Sequence, residues 1–295
     1  MFGFRPEGRR VKQADPVVQI TPYLMPMRCD AQVFLEHEIE YEPLVRFIAE
    51  KGKEGNKITF MEILIASYVR AISQLPEANR FIMNKQLFAR KELTVSFTLV
   101  MDSEDDKHEE NAVKIAFDPS DTIYDVSKRV KATINANRKA ENTSNGVVNF
   151  ANFLLKIPFL ATFAVGAIRF LDKYGLIPKS IIDISPFHTG LFIANMASIG
   201  MSKVYHHIYN FGNTGLFFSI GNVKRGYRIN AKGEKERHCT LPIGITADER
   251  VCAGIVYAKF FALIRAGLKD PSTLESPPTQ VNYADGIEYH VKKPD

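Results

Sequence analysis

The clearest pattern of apolar and polar positions in the chain covers residues 59–77 and predicts a helix. Apolar residues recur there three and four positions apart, which is the spacing of one face of an α-helix. Thr59 and Glu62 have the spacing of a capping box, in which each side chain accepts a backbone N–H of the other residue. Pro76 ends the pattern. The face expected to be buried contains Met61, Leu64, Ile65, Tyr68, Ile72 and Leu75.

The other apolar patterns predict a mixture of strands and helices. Alternation with β-branched or aromatic residues predicts strands in six segments. These segments are residues 32–41, 94–101, 112–117, 190–200, 214–230 and 234–248. Amphipathic patterns predict further helices over residues 42–52, 120–140 and 253–271. This mixed order predicts an α/β or α+β fold, in which helices pack on one large mixed sheet.

The chain of 295 residues is long enough to bury a substantial core. No linker rich in glycine and serine divides it, so we expect one domain over residues 21–275. An N-terminal arm over residues 1–20 precedes this domain, and a polar C-terminal tail over residues 276–295 follows it.

Residues 147–171 form a strongly apolar segment. Lys156, Pro158 and Arg169 interrupt it, so we do not expect it to cross a membrane. A pair of short buried helices is the simplest interpretation. An interfacial membrane helix, a lid over an apolar ligand and a contact between subunits are the alternatives.

Charge and cysteine content narrow the classes of partner. The net charge is +5, and the basic residues are spread along the chain without aromatic interleaving, so we do not expect nucleic-acid binding. The three cysteines, Cys29, Cys239 and Cys252, have no zinc-site spacing, and we expect no metal. The acidic residues 102–111 lack a glycine at the bend and predict a solvated hairpin turn. The first ten residues contain no apolar signal sequence, so we expect a cytoplasmic protein.

Motifs typical of many enzymes are absent from the sequence. There is no phosphate-binding loop, dinucleotide fingerprint, HExxH or GxSxG motif. His206 and His207 lie in a stretch rich in turn-forming residues, and histidine is the common general base near neutral pH. The simpler interpretation of each is a surface or core histidine held by a hydrogen bond, and the same applies to His188 and His238.

Several motifs in a fixed order resemble the catalytic domain of dihydrolipoamide acyltransferases. These proteins are core subunits of 2-oxoacid dehydrogenase complexes and relatives of chloramphenicol acetyltransferase. The motifs are "FMEILIASYVRAISQLPEANRFI", "FIANMASIG", "LPIGITADERVCAG" and a helix ending in "LKDPSTL". The resemblance covers about residues 15–275. It implies a large mixed sheet flanked by helices, a trimer, and a channel between subunits that coenzyme A and an acyl carrier enter from opposite ends.

The resemblance also implies where the catalytic turn lies. The family has a D-H-R-x-x-D-G turn, in which the histidine removes a thiol proton and the second aspartate supports the site. Asp248, Arg250 and Gly254 match this pattern. Glu249 replaces the histidine and Ala253 replaces the second aspartate, so the sequence leaves open whether the protein is an enzyme.

A second part of the family site stabilises the oxyanion through a hydroxyl near an S-N-x-G stretch. Here Ala194 occupies the position of the hydroxyl, beside a retained Asn195, and Ser198 is displaced along the chain. The resemblance therefore implies one of two functions. The first is acyl transfer from coenzyme A or another thioester, with Glu249, His206 or His207 as the base in a rearranged site. The second is a non-catalytic scaffold, either a homotrimer or a larger cage.

The acyl carrier is expected to belong to another chain. No lipoyl domain, subunit-binding domain or linker rich in alanine and proline precedes the acyltransferase-like region. A lipoyl group that reached this protein would therefore arrive on a separate partner.

Overall fold

A large sheet organises the computed structural model, which describes residues 5–101, 109–139, 156, 159–287 and 289. Its seven strands, numbered in chain order with those of a smaller sheet, are β2 (Gln32–Glu40), β5 (Leu93–Met101), β6 (Glu109–Phe117), β7 (Leu191–Asn195), β8 (Leu216–Ile220), β9 (Lys224–Ile229) and β10 (Lys235–Asp248). The smaller sheet consists of β1 (Gly8–Arg10), β3 (Arg80–Met83) and β4 (Gln86–Arg90).

The large sheet is mixed, as the sequence predicts. Its strand order is β2-β10-β8-β7-β5-β6, and β9 pairs with the first part of the long strand β10. β7 runs parallel to β5 and β8, whereas the other pairs of this sheet are antiparallel. β1 lies within the predicted N-terminal arm and pairs with β4.

Seven helices are described around the two sheets. They are α1 (Pro16–Leu24), α2 (Tyr41–Lys53), α3 (Phe60–Gln74), α4 (Ile123–Lys139), α5 (Leu160–Lys173), α6 (Lys179–Ile184) and α7 (Gly254–Lys269). α3 and α7 pack against each other, with the rings of Tyr68 and Phe260 edge to face at 6.0 Å. A Cβ at Gly267 would lie 2.8 Å from Ser67 Oγ, so the glycine allows this close approach.

The capping box of α3 is confirmed. The Thr59 backbone N–H donates to Glu62 Oε2 at 2.6 Å, and the Glu62 N–H donates to Thr59 Oγ1 at 3.3 Å. The helix is buried on more than the one apolar face that the pattern indicates, since Ser67 and Ser73 are also buried. The reason is that α3 contacts both α4 and α7.

The apolar segment differs from the expected pair of buried helices. Residues 147–155, 157 and 158 lie outside the described residues, as do residues 102–108 of the acidic turn. The described part forms α5, and most of its apolar side chains are exposed. Among the described residues, no helix has the length and apolar character needed to cross a membrane.

An irregular segment over residues 201–215 connects β7 to β8 and packs against the large sheet. The Val204 N–H donates to Ser219 Oγ at 3.0 Å, and the Ile208 N–H donates to Gln32 Oε1 at 2.8 Å. The segment approaches β10 so closely that a side chain at Gly244 would overlap the carbonyl oxygen of Val204. The predicted turn-rich stretch with His206 and His207 is this segment.

We expect Gly244→Ala to lower the free energy of unfolding by about 1–3 kcal/mol, because overpacking forces the neighbouring backbone to move. The added Cβ would lie 2.8 Å from Ser219 Oγ as well as overlapping Val204. Chemical denaturation measures the change. Gly226→Ala is the matched control, since the nearest atom to its Cβ is His238 O at 3.8 Å. Equal losses for the two variants would contradict the packing argument.

Candidate functional site

The turn that follows β10 is held by backbone contacts on several sides. The Asp248 N–H donates to Gly215 O at 3.0 Å, and the Tyr257 hydroxyl donates to Asp248 O at 2.8 Å. The Glu249 N–H donates to Ala31 O at 3.0 Å. These contacts fix the direction in which the side chain of residue 249 leaves the turn.

A buried ion cluster of Asp248, Arg250 and Arg28 stabilises this turn. Arg250 donates two hydrogen bonds to the Asp248 carboxylate, at 2.8 Å from Nε and 2.7 Å from Nη2. Arg28 Nε lies 3.5 Å from the same carboxylate, and all three residues are buried. Burial lowers the pKa of Arg28, although the charge of Asp248 opposes the shift. The other Arg28 donors bind the carbonyl oxygens of Tyr209, Gly212 and Ile82.

Glu249 occupies the exposed apex of the turn. Its carboxylate makes no hydrogen bond or ion pair with the residues that the structure describes. Ala253 is the N-cap of α7 and provides no side-chain hydrogen bond to the helix. An aspartate at an N-cap accepts a backbone N–H from the first turn. The alanine therefore removes a helix cap as well as the carboxylate that the family pattern places there.

The two candidate histidines contact each other and nearby rings. The His206 ring stacks on Phe217 with centroids 4.1 Å apart, and its Nδ1 lies 2.8 Å from the His207 carbonyl oxygen. His207 is exposed, and its ring meets that of Tyr209 edge to face at 4.8 Å. Within the described chain, neither histidine is hydrogen-bonded to Glu249. The described contacts therefore join the two histidines to each other and to Phe217 and Tyr209, and not to Glu249.

The candidate oxyanion residues lie at the far end of β8 from the turn. Asn195 pairs with Ile220, whereas Leu216 pairs with Ala247, which precedes the turn. The four intervening steps along a strand correspond to about 13 Å. Asn195 is exposed, and the Ser198 hydroxyl donates to its carbonyl oxygen at 2.6 Å.

The Ala194 methyl group is buried and offers no donor to an oxyanion. Asn195 therefore carries the one exposed side-chain donor of the pair, and it is separated from the turn by the length of β8.

A second buried polar cluster surrounds Asp172, and its partners Arg5 and Gly212 were not predicted from the sequence. The Asp172 carboxylate accepts hydrogen bonds from Arg5 at 2.7 Å and from the Gly212 N–H at 3.1 Å. His188 Nε2 lies 3.2 Å from the same carboxylate, and His188 Nδ1 lies 2.8 Å from Ser185 Oγ. Burial by itself would raise the pKa of Asp172. The hydrogen bonds and positive charges of His188 and Arg5 outweigh this effect and lower the pKa to about 2. His188 was the member named from the sequence, and it is a core histidine held by hydrogen bonds.

A cavity of about 410 Å³ lies between the two clusters. Five cationic residues and one carboxylate line it, so its interior is positively charged. These residues are Arg28, Lys85, Arg169, Lys173, Arg250 and Asp172. The cavity therefore suits a ligand that carries negative charge.

The fold is similar to solved acyltransferase structures. The cubic core of the pyruvate dehydrogenase multienzyme complex matches with a TM-score of 0.54 and 13% identity, over 90% of this chain and 94% of that chain. A probable dihydrolipoamide acetyltransferase from Listeria monocytogenes matches with a TM-score of 0.54 and 12% identity, over 92% and 98%. Chloramphenicol acetyltransferase matches with a TM-score of 0.50 and 11% identity, over 89% and 100%.

The chain thus has the fold shared by dihydrolipoamide acetyltransferase cores and chloramphenicol acetyltransferase, which confirms the fold expected from the motifs. No model of a protein family matches the sequence, and no curated protein sequence matches it.

We expect Asp248→Asn to lower the free energy of unfolding by about 3–5 kcal/mol, because two buried guanidinium groups lose their shared carboxylate. Chemical denaturation measures this loss. Asp30→Asn is the control, since Asp30 is exposed in the 3₁₀ helix just before β2. A loss at Asp248 no larger than that of the control would show that the ion cluster does not stabilise the turn.

The Asp172 cluster predicts a loss of stability in acid. The pKa of this carboxyl is lower in the folded protein, about 2, than its ordinary value of 3.8. Its stabilisation is therefore present above pH 3.8 and lost as the pH falls toward 2. Between these limits, the free energy of unfolding of wild type should fall by about 2 kcal/mol more than that of Asp172→Asn does. Denaturation at a series of pH values tests this, and parallel curves would contradict it.

Proposed function

We propose that this protein transfers acyl groups between thioesters and thiols, with coenzyme A as one carrier, at a site built around Glu249. The observation that carries the proposal is the fixed turn, in which Asp248 and Arg250 form a buried pair and Glu249 stands at the apex. The acyltransferase fold supports the same reaction class.

In the proposed reaction a base removes the proton of the attacking thiol. The thiolate adds to the acyl carbonyl carbon, and the tetrahedral oxyanion collapses to release the first thiolate, which takes up a proton. We assign the base to Glu249. A carboxylate with an ordinary pKa is a weak base for a thiol of pKa about 8.5. Burial raises a carboxyl pKa, so the assignment requires that another surface cover Glu249 during the reaction.

We propose that a second copy of the chain supplies this cover. The turn and Asn195 lie at opposite ends of β8, so one protomer does not form a site from both. In an oligomer, Glu249 of one subunit can face Asn195 of a neighbour. The exposed amide of Asn195 would then donate a hydrogen bond to the oxyanion. Of the similar structures, one is a cubic core, and a homotrimer or a larger cage is the assembly that we propose here.

The cationic cavity supports coenzyme A as the acyl donor. Phosphate groups bind well to guanidinium and ammonium groups, and the cavity borders the turn through Arg28 and Arg250. The acceptor is a thiol carried by a separate molecule, such as a lipoyl group on another chain.

A non-catalytic scaffold is the second candidate function. Ala253 and Ala194 favour it, because each lacks the polar group that the family pattern places there. A scaffold of this fold would keep the assembly and the buried ion cluster without turnover.

The test measures the S-acetyldihydrolipoamide that forms from acetyl-CoA and dihydrolipoamide. We expect Glu249→Gln to reduce turnover by about 10²–10⁴-fold, which is the usual contribution of a positioned base. Glu249→His should retain or increase turnover, since imidazole is the better base near pH 7. Glu50→Gln is the matched control, because Glu50 is an exposed glutamate on α2.

The native mass of the same preparation separates the two candidates. If wild type forms an oligomer of the 33.3 kDa chain but shows no turnover, the scaffold proposal replaces the enzyme proposal. A monomer of constant mass would overturn both. Turnover that is unchanged when Glu249, His206 and His207 are substituted together would contradict the residue assignment.

A further inference from the structure

The helices α5 and α6 present an unusual surface, here called the α5 face and comprising the exposed side chains of residues 159–184. We propose that the α5 face binds the surface of an anionic lipid membrane, with α5 lying in the plane of the interface. The α5 face does not include the Glu249 turn, although Arg169, Phe170 and Lys173 also line the cationic cavity. The inference does not depend on acyl transfer.

The α5 face exposes a large number of apolar side chains that are contiguous in the chain. Phe159 is 85% exposed, Phe163 is 74% exposed and Ile184 is 78% exposed. Isolated exposed apolar residues are common, but contiguous ones mark contact surfaces. The further exposed members are Val165, Ile168, Phe170, Leu171, Leu176 and Ile181.

The folded domain holds this face in place. Asp172, in the last turn of α5, is anchored by Arg5 and by the Gly212 N–H. Lys114 Nζ donates to Ile182 O at 2.9 Å, which ties α6 to β6. The exposure of the apolar side chains is therefore a feature of the folded structure.

The charges of the α5 face complement anionic headgroups. Arg169 and Lys173 are exposed, are one turn apart, and belong to the same polar stripe of α5 as Thr162. The carboxylates of residues 159–184 are both paired, Asp172 with Arg5 and Asp183 with Lys179 at 2.7 Å. A cationic stripe beside aromatic and aliphatic side chains is typical of interfacial helices.

The length of α5 favours an orientation in the membrane plane. Its 14 residues span about 21 Å, which is less than the hydrocarbon thickness of about 30 Å. In the plane, Phe163 and Phe170 can enter the acyl region while Arg169 and Lys173 reach the headgroups. Both phenylalanines lie on the side of α5 next to the cationic stripe.

Charge also argues against a second copy as the occupant of the α5 face. In a contact of this face with the same face of a second copy, Arg169 and Lys173 of both chains would be brought into one interface. Both carboxylates of the face are already paired, so these cations would repel one another. Anionic lipid provides the missing countercharge.

Vesicle flotation tests the proposal with the full chain. Wild type should float with vesicles of phosphatidylcholine and phosphatidylglycerol, and less with phosphatidylcholine alone. The double variant Phe163→Ser with Phe170→Ser should reduce bound protein by at least about tenfold, because two apolar anchors are lost. The double variant Arg169→Gln with Lys173→Gln should reduce binding to anionic vesicles and weaken its dependence on salt.

Two matched variants control for general effects. Tyr227→Ser with Ile229→Ser removes exposed apolar side chains from β9, and Arg225→Gln with Arg237→Gln removes two exposed cations elsewhere. Both should float like wild type. Circular dichroism and thermal melting verify that each variant is folded.

Three outcomes would overturn the proposal. In the first, wild type does not float with either kind of vesicle. In the second, the α5 and β9 variants float equally. In the third, the native mass of the Phe163/Phe170 variant changes although wild type does not float. The last outcome would assign the α5 face to a contact between copies. None of these results depends on acyl transfer, so the two proposals fail separately.

Discussion

The buried pairing of Asp248 with two guanidinium groups is the interaction on which the geometry of the turn depends. Arg250 binds both carboxylate oxygens, and Arg28 approaches from the segment before β2. Because Arg28 also binds the carbonyl oxygens of Tyr209 and Gly212, the same cluster holds the irregular segment over residues 201–215. A single carboxylate thus connects three parts of the chain, and the low dielectric of the interior strengthens each contact.

Features that arise from neighbours in the sequence were predictable, and features that join distant residues were not. The capping box of Thr59 and Glu62 lies within one helical turn, so its spacing revealed it. Asp248 and Arg250 were named through the family resemblance, which a short motif can carry, and they form a buried pair. By contrast, Arg28 is 220 positions before Asp248 in the chain, and no periodicity connects the two residues. The Asp172 cluster was missed for the same reason, since Arg5 and Asp172 are 167 positions apart.

The apolar segment shows a different limit of sequence interpretation. Its composition favoured burial, yet α5 exposes most of its apolar side chains. Hydrophobicity indicates that a surface avoids water, but it does not specify what excludes the water. That information comes from the partner, whether protein core, second subunit or lipid. For α5 we base the choice of lipid on Arg169 and Lys173, which lie beside the exposed apolar residues.

The pairing of Arg5 with Asp172 makes the segment just before β1 a structural component of a helix far along the chain. Arg5 is buried beside Phe81, also contacts Glu7, and supplies a full positive charge to the Asp172 carboxylate. Proteolytic trimming past this residue would leave Asp172 with His188 and a backbone N–H as partners. Cleavage just after Arg5 would then weaken the attachment of α5 without cutting near it, so Arg5 stabilises a surface more than 150 positions away.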